Sequence, residues 1–169
     1  MMPALSCIEK ILKRRSIRRY RREPVPEEIL EGILEAGRQA PSAANRQPWH
    51  FVVVTDPGLK ERLSTGRYNG FIRESAFTIA GVALPYDRVS ERWGVVDVTI
   101  AMQNMVLAAE VQGVGSCWIG DFREEEVKRL LDIPEEARVV ALLSMGFPAE
   151  QPGPRPKKPL EEIVHYNSW

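Results

Sequence analysis

The stretch from Val95 to Gln112 carries apolar side chains on nearly every side of the helix it would form: Val96, Ile100, Met102, Met105, Val106, Leu107 and Ala109. A helix that is apolar on most faces is buried on most faces. With 169 residues, 44% of them hydrophobic, the chain has material for one core and little room for a second. One small core cannot surround such a helix completely. Part of it is therefore expected to meet a second subunit.

The remaining elements fall around this helix. A capping box at Ser6-Cys7-Ile8-Glu9, with Leu5 as its staple, opens a short helix carrying Ile8, Ile11 and Leu12. Pro24 and Pro26 precede a second helix, whose N-terminal end suits Glu27 and Glu28 and whose buried face is Ile29, Leu30, Ile33 and Leu34. It ends before Pro41, because the residue ahead of a proline avoids helical angles. Strands are expected at Trp49–Thr55, Phe77–Leu84, Ser116–Ile119 and Arg138–Met145, with a helix near Leu59–Ser64 and a charged loop around Asp87–Arg92. Asp121-Phe122-Arg123-Glu124 reads as a second N-cap with a reciprocal glutamate. Five prolines between Pro148 and Pro159 forbid helix and sheet interior, so residues 147–169 form an extended arm. Its end, LEEIVHYNSW, is too apolar to stay in water and is expected to pack on a partner subunit.

Charge is unevenly placed. The run KILKRRSIRRYRR, Lys10 to Arg22, holds eight basic residues and no acid, in a chain with 23 basic and 23 acidic residues overall. The rest of the chain is thus acidic, and the run points to an anionic partner. Overall neutrality argues against a dedicated nucleic-acid binder. No apolar run of about 18 residues predicts a membrane span. Charges come too early in MMPALSCIEKILKRR for a secretory leader, so the cytoplasm is the expected location. Cys7 and Cys117 lack metal-ligand spacing and read as free thiols, with no metal site expected.

Familiar catalytic sets are missing. His50 and His165 stand apart from any paired cysteine or nucleophile elbow, and neither GxxxxGK[ST] nor GxGxxG occurs. Three polar segments remain. In Arg14-Arg15-Ser16-Ile17-Arg18, guanidinium forks suit phosphate oxygens, and an extended backbone would point Ser16 and Arg18 the same way. A solvated basic turn would look the same, and Arg19, Arg21 and Arg22 read as surface. The loop Pro41-Ser42-Ala43-Ala44-Asn45-Arg46-Gln47-Pro48 is pinned by two prolines, and its Asn45 and Gln47 amides suit a uracil-like edge. Alone, it is simply a loop entering a strand. Trp118-Ile119-Gly120 ends a strand on a glycine, where a backbone N–H could face a flat ring; a core strand with a turn glycine is the plainer reading.

In this order and spacing, RRSIRRY, APSAANRQPWHF, GVGSCWIGDF and PRPKKPLEEIVHYNSW resemble the FMN-dependent nitroreductase family, in its short-chain branch, nearly end to end. That resemblance implies an α+β fold with a mixed central sheet surrounded by helices, one domain over residues 1–169, and an interlocked homodimer with exchanged C-terminal arms. It implies FMN at the subunit interface and NADH or NADPH as electron donor. By position, Arg14, Arg15, Ser16 and Arg18 would line the phosphate, ribityl and pyrimidine side. Pro41, Ser42, Ala43 and Asn45 would come from the other subunit, and Trp118, Ile119 and Gly120 would flank the ring. Arg155 and Lys157 would complete the phosphate site, and Asn69 would add a polar contact. No protein residue would be catalytic in its own right, since the flavin carries the chemistry. The implied activity is ping-pong hydride transfer from NAD(P)H to a nitroaromatic, quinone or similar small acceptor. The same fold also serves reductive dehalogenation, flavin fragmentation or flavin binding without turnover, and a nucleic-acid module using the basic run is the reading from another class. Glu74-Ser75-Ala76 departs from the Ala-Pro pair many members carry there.

Overall fold

The structure, a computed structural model, describes residues 7–169, with Cys7 described by its backbone alone. The expected capping box at Ser6, its Leu5 staple and the Cys7 thiol lie outside the described residues. The chain forms helices α1 (Cys7–Lys13), α2 (Glu27–Arg38), α3 (Pro57–Leu63), α4 (Arg88–Val111) and α5 (Glu124–Leu131). Its strands are β1 (Trp49–Val54), β2 (Phe77–Ala83), β3 (Gly115–Ile119) and β4 (Arg138–Gly146).

The four strands make one sheet in the order β1-β2-β4-β3, antiparallel at each pairing. The parallel component of the expected mixed sheet is a single bridge, between Ser16 and Ser116 on the outer edge of β3. Strand side chains alternate between faces, and the sequence uses both. Phe77, Ile79 and Ala83 of β2, with Ala141, Leu143 and Met145 of β4, pack with Ile33 of α2 and Val98, Met102, Met105 and Val106 of α4. Ala80, Val82, Val139 and Leu142 face the other way, onto Leu63 of α3, Ile72 and Val127 of α5. The result is an α+β sandwich with one sheet between two helical layers.

Two glycines set how closely α4 approaches. A Cβ on Gly81 would lie 2.2 Å from Met102 Sδ, and one on Gly37 would lie 2.2 Å from Met105 Cε. Each methionine thus occupies the space a side chain would have taken, and α4 is wedged between α2 and the sheet. By length and composition α4 alone among the described helices is apolar enough to cross a bilayer, yet 44% of that window is buried inside the fold.

Helix α4 starts seven residues earlier than its apolar pattern suggests. Asp87 Oδ1 accepts from the Ser90 backbone N–H at 2.8 Å, while Ser90 Oγ accepts from the Asp87 N–H at 3.0 Å. The expected charged loop is therefore a reciprocal cap and a first helical turn. The other expected cap is not formed: α5 begins at Glu124 after Arg123, with no side-chain cap. Asp121 does something else.

Past β4, the chain runs out as the expected extended arm. Residues 153–169 are exposed throughout, including Leu160, Ile163, Tyr166 and Trp169.

Candidate functional site

The basic run leaves α1 and becomes an extended segment held from both sides. Ile17 N–H donates to the Ser116 carbonyl at 2.9 Å, and on the other side Arg21 N–H donates to Phe147 O and Ala149 N–H to Arg19 O, both at 2.9 Å. Glu150 Oε1 accepts from the successive N–H groups of Arg18 and Arg19, at 2.6 and 3.1 Å. Tyr20 pins the segment from beneath. Its buried hydroxyl donates to the Ile17 carbonyl at 2.6 Å and accepts from Ser144 Oγ at 2.7 Å. Burial pushes this phenol far above its ordinary range, so it stays a neutral donor. Tyr20→Phe is expected to lose about 1–3 kcal/mol, read by urea unfolding, because the Ile17 carbonyl and Ser144 hydroxyl lose a buried partner.

With Ile17 buried, Ser16 and Arg18 turn away from it. Ser16 reaches the Cys117 thiol, and Arg18 Cζ lies 5.9 Å from the centre of the Phe71 ring. Burial raises the Cys117 thiol, only partly offset by Arg18, Ser16 and Arg14. Among the described residues, no carboxylate lies within 4.0 Å of the Arg14 or Arg18 guanidinium. Unpaired cations around a hydroxyl form a site for an anion. Arg15 behaves differently. Its Nη1 donates to the carbonyls of Leu12 and Arg14, at 3.0 and 2.8 Å. It lines a concavity of about 890 Å³ with Lys13, Ile17, Glu110 and Glu150, on the Ile17 side.

Beyond Cys117 the strand ends at Gly120, where a Cβ would meet nothing within 4 Å. Ile119 packs with the α3 and α5 layer. Trp118 points to the opposite face, its indole N–H donating to Gln103 Oε1 at 3.3 Å. Beside the strand end stands Asn69, 1% exposed. Its Nδ2 donates to the carbonyls of Leu63 and Asp121, at 3.0 and 2.8 Å, and its Oδ1 is buried without a partner. A buried acceptor left unmatched costs about 1–3 kcal/mol, so this oxygen is set for a donor from a ligand.

The Pro41–Pro48 loop is strained. Ala44, Asn45 and Gln47 adopt φ of 49°, 53° and 51°, left-handed angles that residues with a Cβ avoid. Surrounding bonds impose this shape. Asp97 Oδ1 accepts from Ala43 N–H at 3.0 Å, Ser42 Oγ from Gln47 N–H at 2.9 Å, and Arg46 Nε pairs with Asp87 Oδ2 at 2.6 Å. Tyr86 donates its hydroxyl to the Arg46 carbonyl at 2.7 Å. Asp97 is 2% exposed, and its Oδ2 is the other buried side-chain oxygen without a partner among the described residues. Strain held so firmly marks a pre-organised surface.

The Ser90 backbone N–H, with the Ser90 hydroxyl and Arg46, holds Asp87 at about 2, against a smaller upward push from partial burial. A depressed carboxylate contributes stability above its unfolded pKa, near about 3.9, and loses it as pH falls through the folded value. The thermal midpoint of the wild type is therefore expected to fall more steeply than that of Asp87→Asn between about pH 4 and pH 2, followed by circular dichroism.

The two halves do not meet within one chain. Asp97 holds the Pro41–Asn45 loop, while Arg14 lies near Glu110. Those positions are 13 residues apart on α4, or about 20 Å. Arg155 and Lys157 sit on the exposed arm. One chain thus brings together Arg14, Ser16, Arg18, Asn69, Ile119 and Gly120. It leaves Pro41, Ser42, Ala43, Asn45, Arg155 and Lys157 elsewhere, turns Arg15 to the other side and puts Trp118 on the opposite face. Sequence reasoning missed Tyr20, Phe71, Asp97, Asp121 and Glu150; Asp87-x-x-Ser90 was the one local signal available.

Comparison with known proteins gives one family. The model of the nitroreductase family matches residues 11–65 and 64–147. A protein of Thermus thermophilus named NADH dehydrogenase is 32% identical over 198 residues, covering 96% of this chain and 97% of the relative. Among solved structures, the NADPH:FMN oxidoreductase of Vibrio harveyi complexed with NAD+ superposes with a TM-score of 0.90 at 28% identity, covering 96% of this chain and 77% of that one. Nitroreductase A of Vibrio parahaemolyticus gives a TM-score of 0.91 at 28% identity, covering 100% of this chain and 77% of that one.

Proposed function

The chain belongs to the nitroreductase family, and on that premise we propose that it is an FMN-dependent NAD(P)H oxidoreductase working as a homodimer. The observation that carries this reading is the convergence of the unpaired Arg14 and Arg18, the Ser16 hydroxyl and the buried, unmatched Asn69 Oδ1 beside the open end of β3. Cations and a hydroxyl suit a phosphate and its polyol, and an acceptor beside a bare glycine suits the edge of a flat heterocycle. FMN combines those parts, so the residues present fit it.

Arg14, Ser16 and Arg18 would hold the phosphate and ribityl side, and Asn69 the ring edge. Ile119 and Gly120 would flank the ring from the strand end, and Trp118 would steady that end through Gln103. When bound, FMN supplies the hydride acceptance and donation that no side chain here performs. The positive field of Arg18 favours negative charge on a group seated beside it. NADH or NADPH and then the acceptor, a nitroaromatic, quinone or similar molecule, would use the open Gly120 side in turn.

Two features support the dimer. The Pro41–Asn45 loop and the Arg14 cluster are about 20 Å apart along α4, a span that a two-fold axis closes by pairing each loop with the other chain's cluster. Trp93, Val96, Ile100 and Val111 of α4, Ile11 and Leu12 of α1, and Leu160, Ile163 and Trp169 of the arm are all exposed. That much apolar surface calls for a cover. An exchanged arm would also deliver Arg155 and Lys157 to the partner's phosphate site. The test is titration of apoprotein with FMN, with mass measured by light scattering. One FMN per chain on a dimer, with bands at about 370 and 450 nm, is expected; a colourless monomer at saturating FMN would refute the reading.

A further inference from the structure

Asp121 follows the strand-end glycine in a sequence that reads as a helix cap, yet it caps nothing. Both its polar parts are spent on one neighbour, the loop of residues 66–69. Its side-chain Oδ2 accepts from Tyr68 N–H at 2.5 Å, and its carbonyl accepts from Asn69 Nδ2 at 2.8 Å. The loop is built to receive it. A Cβ on Gly66 would lie 2.6 Å from the Asp121 carbonyl oxygen, 2.8 Å from its Oδ2 and 2.8 Å from Asn69 Nδ2. Any residue but glycine would wedge the junction open.

The bonds also fix which way Asn69 points. Both Nδ2 hydrogens go to carbonyl oxygens, of Leu63 and Asp121. Turning the amide over would set Oδ1 against two acceptors, so Oδ1 is locked as the buried acceptor without a partner. Without the Asp121 carboxylate, Tyr68 N–H would lose its partner and the loop its side-chain tie to the end of β3; the two carbonyls that anchor Asn69 would remain, but the loop carrying Asn69 would no longer be held in place. We propose that Asp121 is a positioning residue: it clamps the 66–69 loop to the end of β3, so that Asn69 Oδ1 and Gly120 meet the flavin ring as one fixed edge. This rests on the flavin reading above. Asp121 touches no reacting atom; it acts through Asn69 and Gly120.

The clamp serves the ring end of the ligand, so its loss is felt equally by FMN and by riboflavin, which lacks the phosphate. Apoprotein of the wild type, Asp121→Ala, Asp121→Asn and Gly66→Ala is titrated with each, following quenching of flavin fluorescence. Asp121→Ala is expected to raise Kd about ten- to a hundredfold for both ligands. Asp121→Asn keeps an acceptor for Tyr68 N–H and is expected to stay within about threefold of wild type. Gly66→Ala, which opens the same junction from the other side, is expected to weaken both ligands about tenfold. At saturation, the flavin absorption bands of Asp121→Ala are expected to move towards those of free flavin, which a loss of overall stability alone would not cause.

Wild-type affinity in Asp121→Ala and Gly66→Ala, or a loss in Asp121→Asn equal to that in Asp121→Ala, would overturn the positioning role while leaving the flavin reading intact. Should Asp121→Ala fail to fold, Gly66→Ala and Asp121→Asn carry the same decision. A wild type that binds neither flavin would overturn both.

Discussion

A chain carrying Arg14→Ala and Arg18→Ala together is expected to bind FMN about a thousandfold more weakly than the wild type while folding as stably. Each guanidinium faces the same side as Ser16 without a carboxylate within 4.0 Å among the described residues. A hydrogen bond to a charged group is worth about 1.5–3 kcal/mol, so two such residues amount to about 4 kcal/mol, or three decades in Kd. The fold is largely spared because neither arginine makes a close ion pair; Arg14 only offsets, at longer range and together with Lys10 and Arg15, the burial that raises the Glu110 carboxyl. Arg18 does give up its place over Phe71, 5.9 Å from the ring centre, but that contact is exposed and worth little. Riboflavin separates this effect from damage at the ring end. Its affinity is expected to fall far less than that of FMN, since the lost cations serve mainly the phosphate. Fluorescence titration with both ligands, alongside thermal melts, is the check.

Ending the chain after Pro152 is expected to cost at least about a hundredfold in FMN affinity and to lower the assembly to a monomer. Residues 153–169 are exposed on their own chain, so their removal deprives that chain's core of little. What the proposed dimer would lose is the cover these residues would give a neighbour and the two cations, Arg155 and Lys157, they would carry across. Two charge-assisted bonds again total about 3 kcal/mol or more. The truncated chain and the double arginine variant have defects in different parts of the proposed site. Mixed dimers of truncated and Arg14→Ala/Arg18→Ala chains hold one site built from the intact cluster and the intact arm, provided the arm is exchanged. One flavin site per mixed dimer, and none in either parent, is therefore expected, measured as bound FMN per isolated mixed dimer.

What could be read from the sequence was governed by how local its physics is. Elements whose signal is their own periodicity were legible. The apolar sides of α2 and α4, the four strands and the proline-rich arm stand close to where their patterns put them. Signals that depend on a distant partner were ambiguous. Asp121 reads as a cap and Asp87 as part of a charged loop, yet Asp87 is the one that caps, because Ser90 is free to answer it. Asp121 is instead drawn off by Tyr68 and Asn69, more than fifty residues earlier in the chain. Tyr20 stands among arginines, and nothing local revealed that Ser144 would pass beneath it. The strain at Ala44, Asn45 and Gln47 was invisible for the same reason, since Asp97 and Asp87, which impose it, lie on α4 and at its cap.

The site followed the same rule. The order of the four motifs named the residues and, by resemblance, assigned the Pro41–Asn45 stretch to the other subunit; the three-dimensional structure adds that this loop and the arginine cluster stand toward opposite ends of α4. That division is the physical reason for the proposed dimer: one chain carries two halves that it does not join. Cys117 lies in the site with Ser16 beside it, yet burial raises its thiol away from the reactive thiolate.

Hydride transfer itself is tested most directly by mixing the FMN-loaded wild type with NADH or NADPH under anaerobic conditions. Bleaching of the band at about 450 nm with at least one donor, and its return on adding a nitroaromatic or quinone once the donor is spent, is the expected result. A bound flavin that neither donor bleaches would contradict the central claim, and the chain would then be a binder of flavin without turnover.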